Sequence, residues 1–375
     1  MEPVMGTVPA GTTASDQITR EELQLATRNH GMPLEALRYP VTPLGLHYLL
    51  IHYDIPMVDP AAWRLEVDGR VGSPLALSLD DLRGRPSRTR RVTMECAGNG
   101  RARLEPRPIS QPWLVEAVGT AEWTGTPLWP LLQEAGVADD AVEVVFSGLD
   151  RGIEGDVDQR YQRSLPLAEA RRDDVLLVWA VNGQPLPPQH GFPLRLIVPG
   201  WYGMASVKWL ARVTVISAPF RGYQQARSYR YRNVPEEDGL PVTRIAPRSL
   251  LLPPGIPEFR SRQRFVPPGP IRLEGRAWSG WAPISSVEVS ADGGNTWAGA
   301  QVEAPQEPGA WQAWSYLWEP PGPGEYELCC LATDASGRRQ PVEPRWNLGG
   351  YAGNEVHRVP VTVTAAVAPP AAAQR

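Results

Sequence analysis

Lysine is nearly missing from this sequence: Lys208 is the single one among 37 Lys and Arg residues. An arginine bias of that size reads as a coding preference, and it makes the one retained ammonium stand out. Cysteine is scarce too. Cys96, Cys329 and Cys330 are too few for a disulfide scaffold, and the adjacent pair in a strand-like run points to opposite faces, as expected of core thiols. No Cys-x-x-Cys-His occurs, which excludes a covalently attached c-type haem on this chain. The five histidines form no His-x-x-x-His and no Cys-x-x-Cys accompanies them, so a metal has to bring ligands of its own. No apolar run approaches the roughly 20 residues of a membrane span. Met1 to Arg28 carries Asp16, Glu21 and Glu22 without an apolar stretch, unlike a signal peptide, so the expectation is a soluble, cytoplasmic protein, or a periplasmic one if the sequence is a processed form. A formal net charge of −4 argues against nucleic acid or an anionic membrane as partner.

What is abundant is proline and glycine, 41 and 35 in 375 residues, a length that suggests two domains or three. Residues 1–30 read as an N-terminal extension, polar and mobile over 1–20, with a short helix through Ala26 opened by the Thr19 to Glu22 capping box. Ser78 to Leu82 reads as a second short capped helix and Pro127 to Ala135 as a third. Strands are expected at Arg90 to Glu95, Val142 to Phe146, Val175 to Val181 before the Asn182-Gly183 turn, Leu194 to Val198 and Val207 to Ile216. Trp63, Leu65 and Val67 alternate into an Asp68-Gly69 turn. Prolines crowd between about 234 and 270, as in an interdomain connection. Beyond them short alternating strands with Gly and Pro turns predict an immunoglobulin-like β-sandwich. The fold class is therefore α+β: a mixed domain over 31–240, a sandwich over 241–364, and a disordered Ala/Pro tail over 365–375.

Cys96 ends an apolar strand at the turn Cys96-Ala97-Gly98-Asn99-Gly100-Arg101. A thiol there reads as presented rather than buried, with glycine amides free to converge on an anion and Arg101 lowering its pKa. Such a thiolate suits a soft metal or a nucleophile, although free cysteine is as often a small core residue.

Met94 to Arg101 resembles the cysteine motif of the sulfite oxidase family of molybdopterin-dependent oxidoreductases. Asn182-Gly183-Gln184-Pro185-Leu186-Pro187, His190-Gly191-Phe192-Pro193-Leu194-Arg195, Val198-Pro199-Gly200 and Val207-Lys208-Trp209-Leu210 are similar to its pterin-binding segment. Ser290 to Trp297 and Trp346-Asn347-Leu348 resemble its C-terminal dimerisation domain. The likeness runs in order from about Leu44 to Pro360.

The resemblance implies molybdenum held by the dithiolene of one molybdopterin and by the Cys96 thiolate, transferring an oxygen atom as the metal changes by two electrons. It assigns Arg101, Trp113 and Tyr229 to the substrate oxyanion, and His52, Asp150, His190, Arg195, Ser206 and Lys208 to the cofactor. Each has a plainer reading: Trp113 as core, Asp150 as a turn cap, Arg195 as a solvated strand residue. The implied activity is oxidation of sulfite, a small anionic substrate, to sulfate, with an external electron acceptor such as a cytochrome or oxygen, in a homodimer. Two departures bear on substrate. The family usually has arginines where this chain has Leu50 and Gly349, so sulfite binds more weakly unless Arg38, Arg107 or another arginine substitutes, or the substrate is a sulfane or organic sulfur compound, a sulfoxide or nitrate. A non-catalytic interaction protein is the alternative of another class.

Overall fold

The computed structural model describes residues 18–365; the extension before them and the tail after them lie outside the described residues. The first helix, Arg20–Arg28, opens on the Thr19 and Glu22 capping box, and Leu79–Arg83 opens on the reciprocal Ser78 and Asp81 pair. Leu128–Ala135 buries Leu128, Leu131, Leu132 and Ala135, one helical stripe, and stops at Gly136, whose φ of +72° is the left-handed cap glycine accepts readily.

Two sheets build the first half. One has the order Leu75–Leu77, Leu65–Gly69, Leu210–Ile216, Glu143–Glu154, Val157–Pro166; the Leu65 and Leu210 strands run parallel and the other pairs antiparallel. The other runs Arg88–Glu95, Val118–Pro127, Leu176–Val181, Gln184–Pro185, with Arg195–Ile197 also on the Leu176 strand. Trp63, Leu65, Val67, Phe146, Leu177, Leu196 and Val213 share a core with the Leu128 helix. The strand expected from Val207 begins only at Leu210, because Trp209 takes a positive φ of 46° and turns the chain. That kink leaves Lys208 on irregular backbone.

The second half is a β-sandwich. Four strands (Arg248–Leu251, Ile271–Trp278, Gln312–Trp318, Gln301–Val302) face six (Ile256–Pro257, Arg264–Val266, His357–Val363, Gly324–Asp334, Ile284–Ser290, Ala298–Gly299). Leu251, Val266, Leu273, Trp314, Leu328, Cys330 and Val361 fill the space between. Cys329 and Cys330 are both buried and alternate in direction: Cys330 enters this core, whereas Cys329 lies beside the Arg358 guanidinium, 3.5 Å away. The proline-rich segment from 234 to 270 is not the connection its composition suggests. It contributes strands to both sandwich sheets, because Arg248–Leu251 pairs with Ile271–Trp278 and Arg264–Val266 pairs with His357–Val363. Among the described residues no helix is long and apolar enough to cross a membrane.

One buried histidine couples the sandwich to pH. His357 Nδ1 accepts the Leu251 N–H at 3.0 Å. Burial first, then the nearby Arg103 and Arg248, lowers its pKa to about 3. The folded state thus rejects a proton that the unfolded chain accepts at its ordinary value near 6.5, so stability is full above that pH and falls as pH drops below it. Between pH 7 and 5 the wild type should lose on the order of 2 kcal/mol more stability than His357→Asn, whose side-chain oxygen can take the same hydrogen bond without titrating. Urea unfolding at the two pH values measures this; parallel losses in both proteins would remove His357 from the account.

Candidate active site

The cysteine turn is fixed from beneath by a buried carboxylate. Glu95, the last residue of its strand, accepts from Asn99 Nδ2 at 3.0 Å, Arg248 Nη1 at 2.8 Å and Trp278 Nε1 at 2.8 Å. Asn99 returns a bond by accepting the Ala117 amide at 3.0 Å. Gly100, at φ +94°, lies so close to Gly353 that a Cβ would strike that residue's carbonyl oxygen. A Cβ on Gly98 would meet the Arg101 guanidinium at 2.6 Å. Glycine is thus required at Gly100, and at Gly98 a side chain would have to displace the Arg101 guanidinium.

Three expectations for this turn need correction. Cys96 is buried, at 7% exposure, because Trp113, Tyr48 and Met94 pack around it. Its pKa is raised, since burial outweighs the opposing Arg101 charge, the Gly98 amide and the Trp113 indole N–H. Two of the turn's amides are not free for an anion either: Asn99 N–H donates to Cys96 O at 3.0 Å and Arg101 N–H to Gly98 O at 3.1 Å, so both are spent within the turn.

Above Cys96 opens a cleft of about 640 Å³, its solvent-filled mouth included. His52, Cys96, Asp150, His190, Arg195, Ser206, Lys208 and Tyr229 all line it, brought together from seven separate stretches of chain. Arg101 and Trp113 stand behind this lining, both buried. Arg101 donates to Gly349 O at 3.0 Å and Gln111 O at 3.2 Å. The cleft also takes His47, Tyr48, Tyr161 and Met204, which were not singled out, and Leu50, one of the two positions where an arginine is missing. Tyr161 had a legible signal, an aromatic two residues from Arg163 on one face of a strand. Arg38 and Arg107 do not substitute for missing arginines. Arg38 bonds the Glu35 carbonyl on the surface, and Arg107 pairs with Glu22 at 3.1 Å.

The cleft's two ends differ. At one, Arg195 donates to His190 O and Ser206 O, and Lys208 Nζ donates to Leu50 O at 2.7 Å and Gln189 O at 3.1 Å. Asp150 is the one carboxylate of the lining, and its Oδ1 is buried without a partner, as is Arg195 Nε. Burial lowers Arg195 to about 10; burial and then the Arg195 charge lower Lys208 to about 7, and burial with the neighbouring His47, Arg195 and Lys208 holds His190 well below its usual range; burial raises Asp150 to about 6 against the pull of Lys208. Two buried cations facing a single carboxylate, with orphaned polar atoms beside them, are the unfinished half of an anion site. Gly191, at φ +109°, sits where a Cβ would press on Lys208 at 3.0 Å and on Arg195 at 3.2 Å, so its lack of a side chain lets these two cations approach the turn. At the other end Tyr229 OH and His52 Nε2 are hydrogen-bonded at 2.7 Å, and burial lowers His52 to about 4, so the imidazole is neutral. Tyr229 holds φ +51°, unusual for an aromatic residue, pinned by Val242 N–H on its carbonyl and by Tyr351 OH on its amide.

Among the described residues no three His, Cys, Asp or Glu side chains converge on a point that could hold a metal. Cys96 could supply one thiolate to a metal that an organic ligand brings. An anionic, polyfunctional cofactor fits the remainder: cations for a phosphate, and Asp150 Oδ1 and Arg195 Nε for ring or tail polar groups.

Comparison with known proteins points the same way. Residues 52–224 match the model of the oxidoreductase molybdopterin binding domain, and residues 259–364 match that of the Mo-co oxidoreductase dimerisation domain. The chain is similar to mitochondrial sulfite oxidase of Mus musculus, 36% identical over 348 residues covering 86% of this chain and 62% of that protein. It is likewise similar to sulfite oxidase of Gallus gallus, 36% identical over 346 residues covering 85% of this chain and 72% of the other. The chain thus spans 62% of the length of its mammalian relative. In three dimensions it resembles the sulfane dehydrogenase SoxCD from Paracoccus pantotrophus, with a TM-score of 0.76 and 25% identity over 96% of this chain and 90% of that one.

The Glu95 knot predicts a measurable coupling. Glu95→Gln leaves Arg248 buried and unpaired and should cost about 3–5 kcal/mol in denaturant unfolding. Adding Arg248→Met to it should recover a good part of that loss. Strict additivity of the two single losses would mean that the pair carries no interaction.

Proposed function

From the premise that the chain belongs to the sulfite oxidase family of molybdopterin-dependent oxidoreductases, we propose that it oxidises sulfite to sulfate in the cleft above Cys96. The observation that carries the reading is the division of that cleft: a thiol at its floor, buried cations facing the single carboxylate Asp150 at one end, and a tyrosine and a neutral histidine at the other, with Arg101 behind the lining. When bound, molybdenum with molybdopterin supplies oxygen-atom transfer coupled to a two-electron change. Cys96 would be its one protein ligand, and the raised pKa of the free thiol means that binding has to displace the proton. Arg195, Lys208, His190 and Ser206 would hold the phosphate and pterin, and Asp150 would accept from a pterin N–H.

The chain's other task would be to hold the oxyanion. Arg101 is held rigidly by two backbone carbonyls, so it offers its charge without reorganising. Tyr229 OH, with His52 as its partner, can donate to a substrate oxygen or pass a proton to the imidazole; Trp113 closes the wall behind Cys96. Sulfite and water yield sulfate, two protons and two electrons, and the electrons would leave singly to an external acceptor such as a cytochrome. The match to a dimerisation domain over residues 259–364 supports a homodimer.

A sulfane sulfur substrate is the second reading. It is favoured by the apolar Leu50 side chain in the lining and by the similarity to a sulfane dehydrogenase over 96% of the chain.

Molybdenum-replete protein should reduce two ferricyanides per sulfite consumed; turnover with thiosulfate or a persulfide but not sulfite would transfer the reading to the sulfane class. Cys96→Ser should keep the fold and lose turnover almost completely, with molybdenum content assayed in parallel. Wild-type rates in that variant would exclude Cys96 as the ligand. Arg101→Gln should raise KM for sulfite more than for a neutral sulfoxide, and equal changes would argue against an oxyanion role.

A further inference from the structure

Beside the substrate end of the cleft, two tyrosines are stacked between two guanidinium groups. The rings of Tyr229 and Tyr351 lie 5.1 Å apart with 27° between their planes. Arg101 stands over Tyr351 at 5.4 Å, and Arg163 stands over Tyr229 at 5.5 Å. Tyr229 lines the cleft, so Arg163 is one ring removed from it.

Arg163 was not anticipated as a functional residue, and its environment is unusual. It lies two residues after Tyr161 on the Val157–Pro166 strand, so both side chains leave the same face, and Tyr161 lines the cleft. It is 2% exposed. Nη1 donates to the Gln224 carbonyl, and Nε is buried without a partner. Among the described residues no carboxylate forms an ion pair with it; Arg248 and Arg264, buried as deeply, pair with Glu95 and Glu35. Burial lowers its pKa, with Tyr161, Tyr229 and Tyr351 around it and Arg230 adding repulsion. A buried cation left without a counterion is costly unless an anion arrives nearby.

The neighbouring positions bring no cation of their own. Leu50 gives the cleft an apolar side chain, and its carbonyl is used by Lys208. Gly349 has no side chain, and a Cβ there would run into the Tyr351 ring. Positive charge at this end therefore comes from Arg101 and Arg163.

We propose that Arg163 is a specificity-determining residue: a buried, uncompensated charge that draws an oxyanion to the cleft through its field across the Tyr229 ring, without touching the substrate. The proposal rests on the reading that an oxyanion binds above Cys96. A field acting through low-dielectric protein is little screened by solvent, and it separates anions from neutral molecules of the same size. The competing role is a structural pin, in which the bond to the Gln224 carbonyl fastens the short helix Tyr223–Ala226.

Two substitutions separate these roles. Arg163→Gln keeps a donor for the Gln224 carbonyl and removes the charge; Arg163→Lys keeps the charge and loses the planar fork. The probe is inorganic sulfate, titrated calorimetrically into the molybdenum-loaded protein, with melting temperatures recorded alongside. Arg163→Gln should weaken sulfate about tenfold and raise KM for sulfite by a similar factor with kcat within about twofold, while Arg163→Lys stays within about threefold of wild type. Dimethyl sulfoxide affinity should change in neither. Sulfate affinity unchanged in Arg163→Gln, or lost equally in Arg163→Lys, would overturn the proposal, as would a wild type that binds no sulfate. If the wild type binds sulfate but does not oxidise sulfite, the substrate assignment fails, whereas weakened sulfate binding in Arg163→Gln alone still supports the charge.

Discussion

The carboxylate of Glu95 is the point on which the two halves of the molecule depend. It is 2% exposed and is reached by a guanidinium and an indole from the sandwich side and by an amide from the cysteine turn. A charge at such depth is tolerable only when every lone pair finds a donor, and here the donors come from residues 99, 248 and 278. Cys96 is the next residue. The position of the thiol is therefore set by a contact that exists only after the C-terminal strands have docked. The same dependence recurs above it: Ala352 N–H donates to Ala97 O at 2.8 Å, and Gly349 O accepts from Arg101. The sandwich thus forms part of the active-site floor as well as a candidate contact between subunits.

Electrostatics divides the cleft as firmly as packing does. Lys208, Arg195 and His190 all have lowered pKa values, first because they are buried and, for Lys208 and His190, because they lie near other cations; Asp150 is the one carboxylate of the lining they share. A phosphate-bearing ligand would reverse each of those penalties at once. Ligand affinity and fold stability are then linked, since whatever binds the folded cleft and not the unfolded chain stabilises the protein by mass action. Arg163 carries a burial penalty of the same kind at the other end, and an aromatic ring stands between it and the cleft.

Local chemistry was legible where its cause was local. The Thr19 and Ser78 capping boxes, the Asn182-Gly183 turn and the Leu128 helix each follow from side chains a few residues apart, and each stands where the pattern put it. The cleft was legible only through the order of motifs, because its lining comes from distant stretches and no spacing rule joins His52 to Tyr229. Depth was not legible at all. Cys96 read as presented because its own turn is small and glycine-rich, whereas Trp113 and Tyr48 bury it from elsewhere in the chain. Proline content misled for a related reason: Pro247 and Pro267 flank strands that pair normally, since proline at a strand's end removes no ladder bond from its interior.

Gly349 shows how an apparent loss can be a rearrangement. Read alone, glycine in place of arginine removes a charge from the site. In the fold it lets Tyr351 occupy the space a side chain at 349 would need, and Tyr351 then stacks on Tyr229, accepts the Tyr229 amide and carries Arg101 over its face. A larger residue at 349 could not be added without displacing that ring, and displacing the ring would free Tyr229 from a backbone conformation that a residue with a Cβ adopts reluctantly. Charge at this end is therefore supplied from Arg101 and from the strand carrying Arg163. Restoring an arginine at 349 would set two solutions to the same electrostatic need in one space.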